Sequence, residues 1–452
     1  MTTMMILPVL LAGCAMEDNC LPPDETGAMV AFQQVAPYTE SLWKFGRNTD
    51  ESKVGNYVLP EIRSKTAAEW ESVERPAVLQ AFKDTMYGEM PPAPDRLRLE
   101  LLAEKDNALD GLAIRKEIRI HCEMDNGRRF YFDMLLYVPK RVIAPPPVFV
   151  GLNFSGNQCN TPETDVRMTR SMYQDFAGDL HMKPCTARGK NLKAWNYTEA
   201  MKRGYAVATA AYGEICPDHL NGLKKSGFTL FYEPEDLRSD YEVPFAEIKS
   251  KKWQRRLSLV GAWAWGLSRM LDALEREPLV DAGKAMVIGH SRNGKAALWA
   301  GACDQRFAAV ISNNSGCGGA KLTRRNFGET LKILYWEKRA WLCGGIIDYV
   351  DRVEALPVDQ HQLLALVAPR NLYVASATLD LNADPKGEFL AAQAASPVWR
   401  LYGKSGLDDA KMPPPDQTIG GDVSYHIRTG KHGILPWDWQ QYYDFADRAF
   451  KK

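Results

Sequence analysis

Residues 286–297 constrain the fold more than any other stretch. Met286-Val287-Ile288 is a short apolar run, Gly289 and Gly294 bracket Ser291, and Lys295-Ala296-Ala297 opens a helix-forming segment. A strand that enters a glycine-flanked serine and leaves as a helix lifts the hydroxyl clear of a sheet, because small neighbours let the backbone turn tightly. The helix N-terminus beneath it favours developing negative charge. The usual spacing is Gly-x-Ser-x-Gly. Here Asn293 takes the second glycine position and Gly294 follows one residue later. Asparagine tolerates unusual φ, so the turn is expected to form. The competing reading is a serine N-cap on an ordinary strand-to-helix turn.

The remainder of the chain carries the same alternation. A helix is predicted over 67–86, ending at Tyr87-Gly88. Segments 96–102, 113–121 and 130–138 alternate or are rich in Ile, Tyr and Phe, which predicts an antiparallel edge of a sheet. The run 148–152 is continuously apolar, as in a strand buried on both faces, and 155–195 reads as a polar surface insertion. Strand 205–210, helix 257–274, strand 285–288, helix 295–302, strands 307–311 and 371–377 and a terminal helix 439–450 follow. This order predicts a three-layer α/β sandwich with a mostly parallel central sheet. No linker interrupts 61–452, which is read as a single catalytic domain. Residues 15–60, polar and rich in Pro, Asn and Asp, are read as an exposed leader.

Met4 to Gly13 is apolar but too short to cross a bilayer as a helix, and it fits the core of a secretion signal. Leu11-Ala12-Gly13-Cys14 resembles a bacterial lipobox, in which Cys14 would carry a lipid. Residues 1–14 are therefore expected to be a lipoprotein signal segment, giving an exported, periplasmic or outer-membrane-attached protein. No Lys or Arg precedes the apolar run, and an incidental apolar terminus is the competing reading.

Lys+Arg and Asp+Glu both number 56, so zero net charge gives no electrostatic case for nucleic acid. The spacings of the nine cysteines include no C-x-x-C, which argues against structural zinc. Neither H-E-x-x-H nor a placed nucleotide-binding glycine motif occurs, and no metal or cofactor is called for. In an exporting compartment Cys317 and Cys343 are expected to pair. The chain is expected to act as a monomer.

A serine nucleophile needs a base and an acid, which follow it in the order Ser, acid, His in this architecture. The histidines after Ser291 are His361, His426 and His432. His432 lies in Thr429-Gly430-Lys431-His432-Gly433, a loop just before the terminal helix, and is the base expected; His426, in an extended segment, is the alternative. Strand 371–377 is followed by Thr378-Leu379-Asp380-Leu381-Asn382-Ala383-Asp384-Pro385. Asp380 is nearest the strand end and is the acid expected. Asp384, which precedes proline and reads as a turn former, is the alternative. The loop after strand 307–311 carries Asn314 but no carboxylate, and an amide cannot stabilise an imidazolium as a carboxylate does.

These residues resemble bacterial glucuronoyl esterases, carbohydrate esterase family 15. The resemblance runs from about Asn48 to the C-terminus. It includes Asp50-Glu51-Ser52-Lys53-Val54, Gly151-Leu152-Asn153-Phe154, Gly261-Ala262-Trp263-Ala264-Trp265-Gly266-Leu267, Ser291-Arg292-Asn293-Gly294-Lys295, Ser315-Gly316-Cys317-Gly318-Gly319-Ala320, Arg325-Asn326-Phe327-Gly328-Glu329-Thr330, Ala383-Asp384-Pro385-Lys386-Gly387-Glu388-Phe389 and Gly430-Lys431-His432. It implies an α/β-hydrolase fold and hydrolysis of esters between 4-O-methyl-glucuronic acid on xylan and lignin alcohols. It further implies Ser291 as nucleophile, His432 as base, Arg292 as an added oxyanion donor, and Lys295 and Glu329 as ligands of the sugar hydroxyls. Three positions depart from the family pattern. His290 stands where the family has a cysteine. The acid of fungal members falls on Asn314. A tryptophan that packs on the sugar is replaced by Asn382. The alternatives are an acetyl-xylan or other carbohydrate esterase, and a weakly active carbohydrate-binding relative.

Overall fold

The computed structural model describes residues 46–169, 171–174, 180–183, 185–237 and 256–451. The expected signal segment with Cys14, and the leader up to residue 45, lie outside the described residues. The strands, in chain order, are β1 (Arg96–Asn107), β2 (Ala113–Glu123), β3 (Arg129–Pro139), β4 (Pro147–Asn153), β5 (Ser171–Gln174), β6 (Leu180–Lys183), β7 (Ala206–Ala211), β8 (Asp281–His290), β9 (Ala309–Asn313), β10 (Asn371–Ala377), β11 (Gln417–Gly420) and β12 (Val423–Arg428). The helices used below are α1 (Arg75–Phe82), α2 (Tyr197–Lys202), α3 (Leu259–Leu274), α4 (Arg292–Cys303), α5 (Leu331–Glu337), α6 (Gln360–Ala365), α7 (Pro385–Ala395) and α8 (Pro436–Phe450).

Ten strands make one sheet in the order β1-β2-β3-β7-β4-β8-β9-β10-β12-β11. β7, β4, β8, β9, β10 and β12 run parallel. β1–β3 form the expected antiparallel edge, joined to the parallel part where β3 meets β7. The other edge is also antiparallel, because β11 folds back on β12. β11 is too short to leave a period in the sequence. β1 runs past its predicted end at 102 through a register shift between Leu101 and Ala103, its charged tail remaining solvated on the sheet edge.

Burial follows the strand period of two. Along β8, Ala285 and Val287 enter the larger core with α3, α4 and α7, whereas Met286 and Ile288 enter the smaller core with α2 and α8. Helices thus cover both faces of the sheet, making the three layers expected. Between β4 and β8 the chain order turns outward in both directions. The carboxyl ends of such neighbours leave an open crevice, where ligands of open α/β sheets bind.

Residues 46–60, read from their composition as exposed leader, are largely exposed but are anchored on the domain. Glu51 pairs with Arg325 and Lys386, Tyr57 and Leu59 pack partly buried against the larger core, and the Pro60 carbonyl bonds His361 Nε2 at 2.9 Å. These partners lie hundreds of residues away, so local composition could not register them. The expected Cys317–Cys343 disulfide is not formed: both thiols are free and buried. Cys343 Sγ faces the carbonyl of Lys83 at 3.7 Å, whereas Cys317 lies within electrostatic reach of Lys321, Glu329 and Lys295. The two sulfurs serve different neighbourhoods.

Candidate active site

At the end of β8 the backbone of Ser291 adopts φ 57° and ψ −127°, and α4 begins at the next residue. A positive φ at a non-glycine residue is strained and marks places where surrounding structure fixes the backbone. Two contacts explain why only glycine fits beside it. A Cβ on Gly289 would lie 2.0 Å from the Asn293 carbonyl oxygen, and one on Gly294 would lie 2.9 Å from Ser315 Cβ. The glycine that matters after the serine is therefore Gly294, and the unusual φ sits at Ser291, not at Asn293. Asn293 is buried inside α4 and donates from Nδ2 to the Leu152 carbonyl at 3.0 Å, tying the elbow to the end of β4. The Ser291 hydroxyl does not cap α4, so the N-cap reading fails.

The acid and the histidine arrive on two laced loops. Past β10, Thr378 N–H donates to the Arg428 carbonyl and Leu379 N–H to the Gly430 carbonyl, both at 2.8 Å, while Gly430 N–H donates back to Thr378 Oγ1 at 3.0 Å. This lacing sets Asp380 Oδ2 2.5 Å from His432 Nδ1. The Asn314 side chain reaches the same oxygen, donating from Nδ2 at 2.9 Å. Burial works to raise the Asp380 carboxyl, but the His432 imidazole and the Asn314 amide outweigh it and hold the group below its ordinary value. Asp380 is buried and the His432 side chain is 44% exposed, so the imidazole stands at the surface with the carboxylate beneath it.

His290, immediately before the serine, packs its ring 4.5 Å from that of His432. Ser291 is thus one residue from a side chain that touches His432, and no hydrogen bond joins its hydroxyl to the imidazole; such contacts commonly tighten only around substrate. His290 Nδ1 bonds Asn313 Oδ1 at 2.6 Å. Burial, reinforced by His432, pushes His290 down to about 3, so it is neutral in ordinary buffers.

The residues implied for oxyanion and sugar surround this centre. The Arg292 guanidinium pairs through Nη1 with Asp218, whose other oxygen accepts Trp341 Nε1 at 2.6 Å. Its Cζ lies 4.7 Å from the centre of the Trp341 ring, and its buried Nε has no protein partner. Lys295 is buried one turn into α4, donating to the Ser315 carbonyl at 2.5 Å. Burial lowers the Lys295 ammonium and raises the Glu329 carboxyl from their ordinary values, each opposed by the charge of the other. Glu329 N–H donates to the Asn382 carbonyl at 2.9 Å, which brings Asn382 beside it.

The alternatives fall elsewhere. His426 is buried in β12 between Tyr373 Oη and Asp438 Oδ1, each at 2.9 Å. His361 is buried in α6 on the Pro60 carbonyl. Asp384 caps α7 and pairs with Arg325 at 2.8 Å. Sequence reasoning missed the groups that hold the site together. Arg428 grips the carbonyls of Thr429, Lys431 and Gly433, shaping the histidine loop, and is itself held by Asp438. Glu388 receives Gly316 N–H at 2.9 Å and Ser376 Oγ at 2.6 Å beneath the Asn314 loop. These are long-range pairings with no motif. Among the described residues, no group of three or more His, Cys, Asp and Glu side chains is placed to hold a metal.

This chain is 38% identical over 413 residues to a carbohydrate esterase from an unknown prokaryotic organism, covering 89% of this chain and 92% of that protein. A family model described as glucuronyl esterase, fungi, matches residues 251–403. The chain belongs to the glucuronoyl esterase family. A glucuronoyl esterase from Solibacter usitatus superposes with a TM-score of 0.78 at 37% identity, covering 89% of this chain and all of that one. A promiscuous family 15 esterase from a marine bacterial metagenome gives 0.77 at 36% identity over 90% of this chain and 100% of that one. The catalytic domain of the Hypocrea jecorina glucuronoyl esterase, 20% identical with a TM-score of 0.58 over 90% of each chain, shares the fold. The sandwich described above is thus the α/β-hydrolase fold.

Proposed function

We propose that this family member hydrolyses 4-O-methyl-glucuronoyl esters joining glucuronoxylan to lignin alcohols, through an acyl-enzyme on Ser291. The observation that carries the site assignment is the Asp380–His432 bond, set over a serine whose strained backbone lifts it from the sheet. In this reading Ser291 Oγ attacks the ester carbonyl carbon while His432 Nε2 takes its proton, and Asp380 stabilises the resulting imidazolium. Negative charge developing on the carbonyl oxygen meets the backbone N–H groups at the α4 N-terminus and the Arg292 guanidinium, whose Nε is left unpaired by the protein. Collapse expels the alcohol, which takes the proton from His432. Water, activated by the same imidazole, then attacks the acyl-enzyme and frees the uronate.

In this reading Lys295 and Glu329, within electrostatic reach of each other, hold the sugar hydroxyls, with Asn382 beside Glu329. A protein from Hypocrea jecorina named 4-O-methyl-glucuronoyl methylesterase is 37% identical over 158 residues, 32% of this chain and 33% of that one, which supports this substrate class. The Leu11-Ala12-Gly13-Cys14 run supports export with lipid attachment at Cys14. Equal membrane fractionation of wild type and Cys14→Ser would remove the attachment.

The test is a side-by-side assay of benzyl glucuronate ester and acetylated xylan, with Ser291→Ala as control. Turnover of the glucuronate ester, lost in the variant by about 10⁴-fold or more, is expected. Turnover of acetylated xylan alone would make the protein an acetyl esterase, and turnover of neither would make it a binding relative.

A further inference from the structure

The segment that packs on the domain ahead of β1 begins beside the sugar side of the cleft. Arg47 donates from Nε to Asn382 Oδ1 at 2.8 Å and from Nη2 to Glu337 Oε1, at the end of α5, at 2.5 Å. Its next residue is pinned twice: the Asn48 carbonyl accepts Gly328 N–H at 2.7 Å, and Asn48 Nδ2 donates to the Asn326 carbonyl at 2.6 Å. Three residues further on, Glu51 pairs with Arg325 and Lys386. The arm therefore straps together the two loops that carry Glu329 and Asn382. These loops already touch so closely that a Cβ on Gly328 would lie 2.3 Å from the Leu381 carbonyl oxygen. Glu329, Asn382 and Arg47 form one continuous wall, and the Glu329 carboxylate lies within electrostatic reach of the guanidinium.

The chemistry of that wall is unusual for a sugar site. Position 382 has no aromatic ring to stack on a pyranose face. Its asparagine oxygen is already occupied by Arg47, so the side chain is oriented but has one acceptor fewer to offer. The Arg47 side chain is 16% exposed, and two of its nitrogens are committed to Asn382 and Glu337. A guanidinium carries more N–H groups than these bonds use, in a rigid planar fork suited to oxygen acceptors.

We infer that Arg47 is a specificity-determining residue of the sugar subsite, orienting Asn382 and donating to hydroxyl oxygens of the uronate in place of an aromatic platform. The inference rests on the glucuronoyl-ester reading above. A charge-assisted hydrogen bond that holds substrate equally before and during reaction shows in KM and leaves kcat unchanged.

The experiment compares wild type, Arg47→Ala, Arg47→Lys and Arg47→Ala/Asn382→Trp on benzyl glucuronate ester. A second readout is the rate at which each is inactivated by diisopropyl fluorophosphate, which reports the serine without filling the sugar subsite. Arg47→Ala should raise KM about 10-fold to 100-fold, with kcat and the inactivation rate within about 2-fold of wild type. Arg47→Lys should recover only part of the loss, because a point charge lacks the fork. The added tryptophan should lower KM again by supplying the missing stacking surface. An unchanged KM in Arg47→Ala overturns the inference. So does a parallel fall in kcat and inactivation rate, which would make the arm a structural strap alone. Wild-type enzyme that is inactivated by the fluorophosphate but does not turn over the glucuronate ester would overturn the substrate reading instead, and the inference with it.

Discussion

Replacing Asp380 by asparagine removes one negative charge at nearly constant shape. In the folded protein Asp380 Oδ2 lies 2.5 Å from His432 Nδ1 and 2.9 Å from Asn314 Nδ2. During acyl transfer the imidazole becomes an imidazolium, whose charge centre sits about 4 Å from that of the carboxylate. The ring is half exposed, so an effective dielectric constant of about 20 applies and the attraction is about 4 kcal/mol. At 1.36 kcal/mol per factor of ten, this predicts a loss of about 10³ in kcat. An asparagine that turns its NH₂ toward Nδ1 would also favour the wrong imidazole tautomer, taking the loss to about 10⁴. The assay is kcat on benzyl glucuronate ester, with thermal unfolding as the control for folding, which should be little changed. Adding Asn314→Glu should restore part of the rate. The Asn314 amide stops one hydrogen bond short of the shared oxygen, and one more methylene carries a carboxylate toward the imidazole. Near-normal kcat in Asp380→Asn would refute the assignment, and Asp384 could not replace it, being buried against Arg325.

Two further outcomes follow from the supports of the site. Arg428→Lys keeps a cation beside Asp438 but loses the fork that holds three carbonyls of the histidine loop. It should lower kcat about 10²-fold, as a misplacement of about 1 Å would, with little change in Tm; unchanged kcat would show that the loop holds itself. Burial pushes the Glu388 carboxyl up to about 8 from 4.5, so the folded state keeps a proton that the unfolded chain has released, and stability falls as pH rises through that window. Glu388→Gln, which imitates the protonated acid, should lack this slope. Its Tm advantage over wild type should grow from about pH 5 to 8, and a constant difference would show that Glu388 does not titrate there.

Much of this was legible in the chain. The elbow could be read because strand, glycine, serine and helix are contiguous, and local sterics dictate each. The approach of His432 to Asp380 could be read because the loops after β10 and β12 leave neighbouring parallel strands at the same end of the sheet. Asp380 followed from its place just beyond a buried strand. The limits were set by distance along the chain. Arg428 looks like the polar end of a strand until α8 brings Asp438 to it. Asp218 has no local signature, yet it braces Arg292 and Trp341. The role given to Asn293 was misplaced by one residue, because a spacing pattern cannot tell which glycine meets the neighbouring loop. The arm at 46–60 is as exposed as its composition implied, but its anchoring on the domain was not legible, because its partners, Glu337, Asn382 and Arg325 among them, are too remote for composition to reveal.

The meeting of Asn314 and Asp380 at one oxygen means that the acid is not the property of a single loop. Two strand ends converge on the oxygen that meets the imidazole, so the charge can change address while His432 stays where it is. The order of substitutions then matters. Losing the carboxylate at 380 first strands His432 without a counter-charge. Gaining one at 314 first sets two carboxyl groups about 3 Å apart, a distance at which a pair shares a proton and retains a single negative charge. That intermediate keeps the imidazole partnered throughout. It offers a passable route between a carboxylate on the loop after β9 and one on the loop after β10.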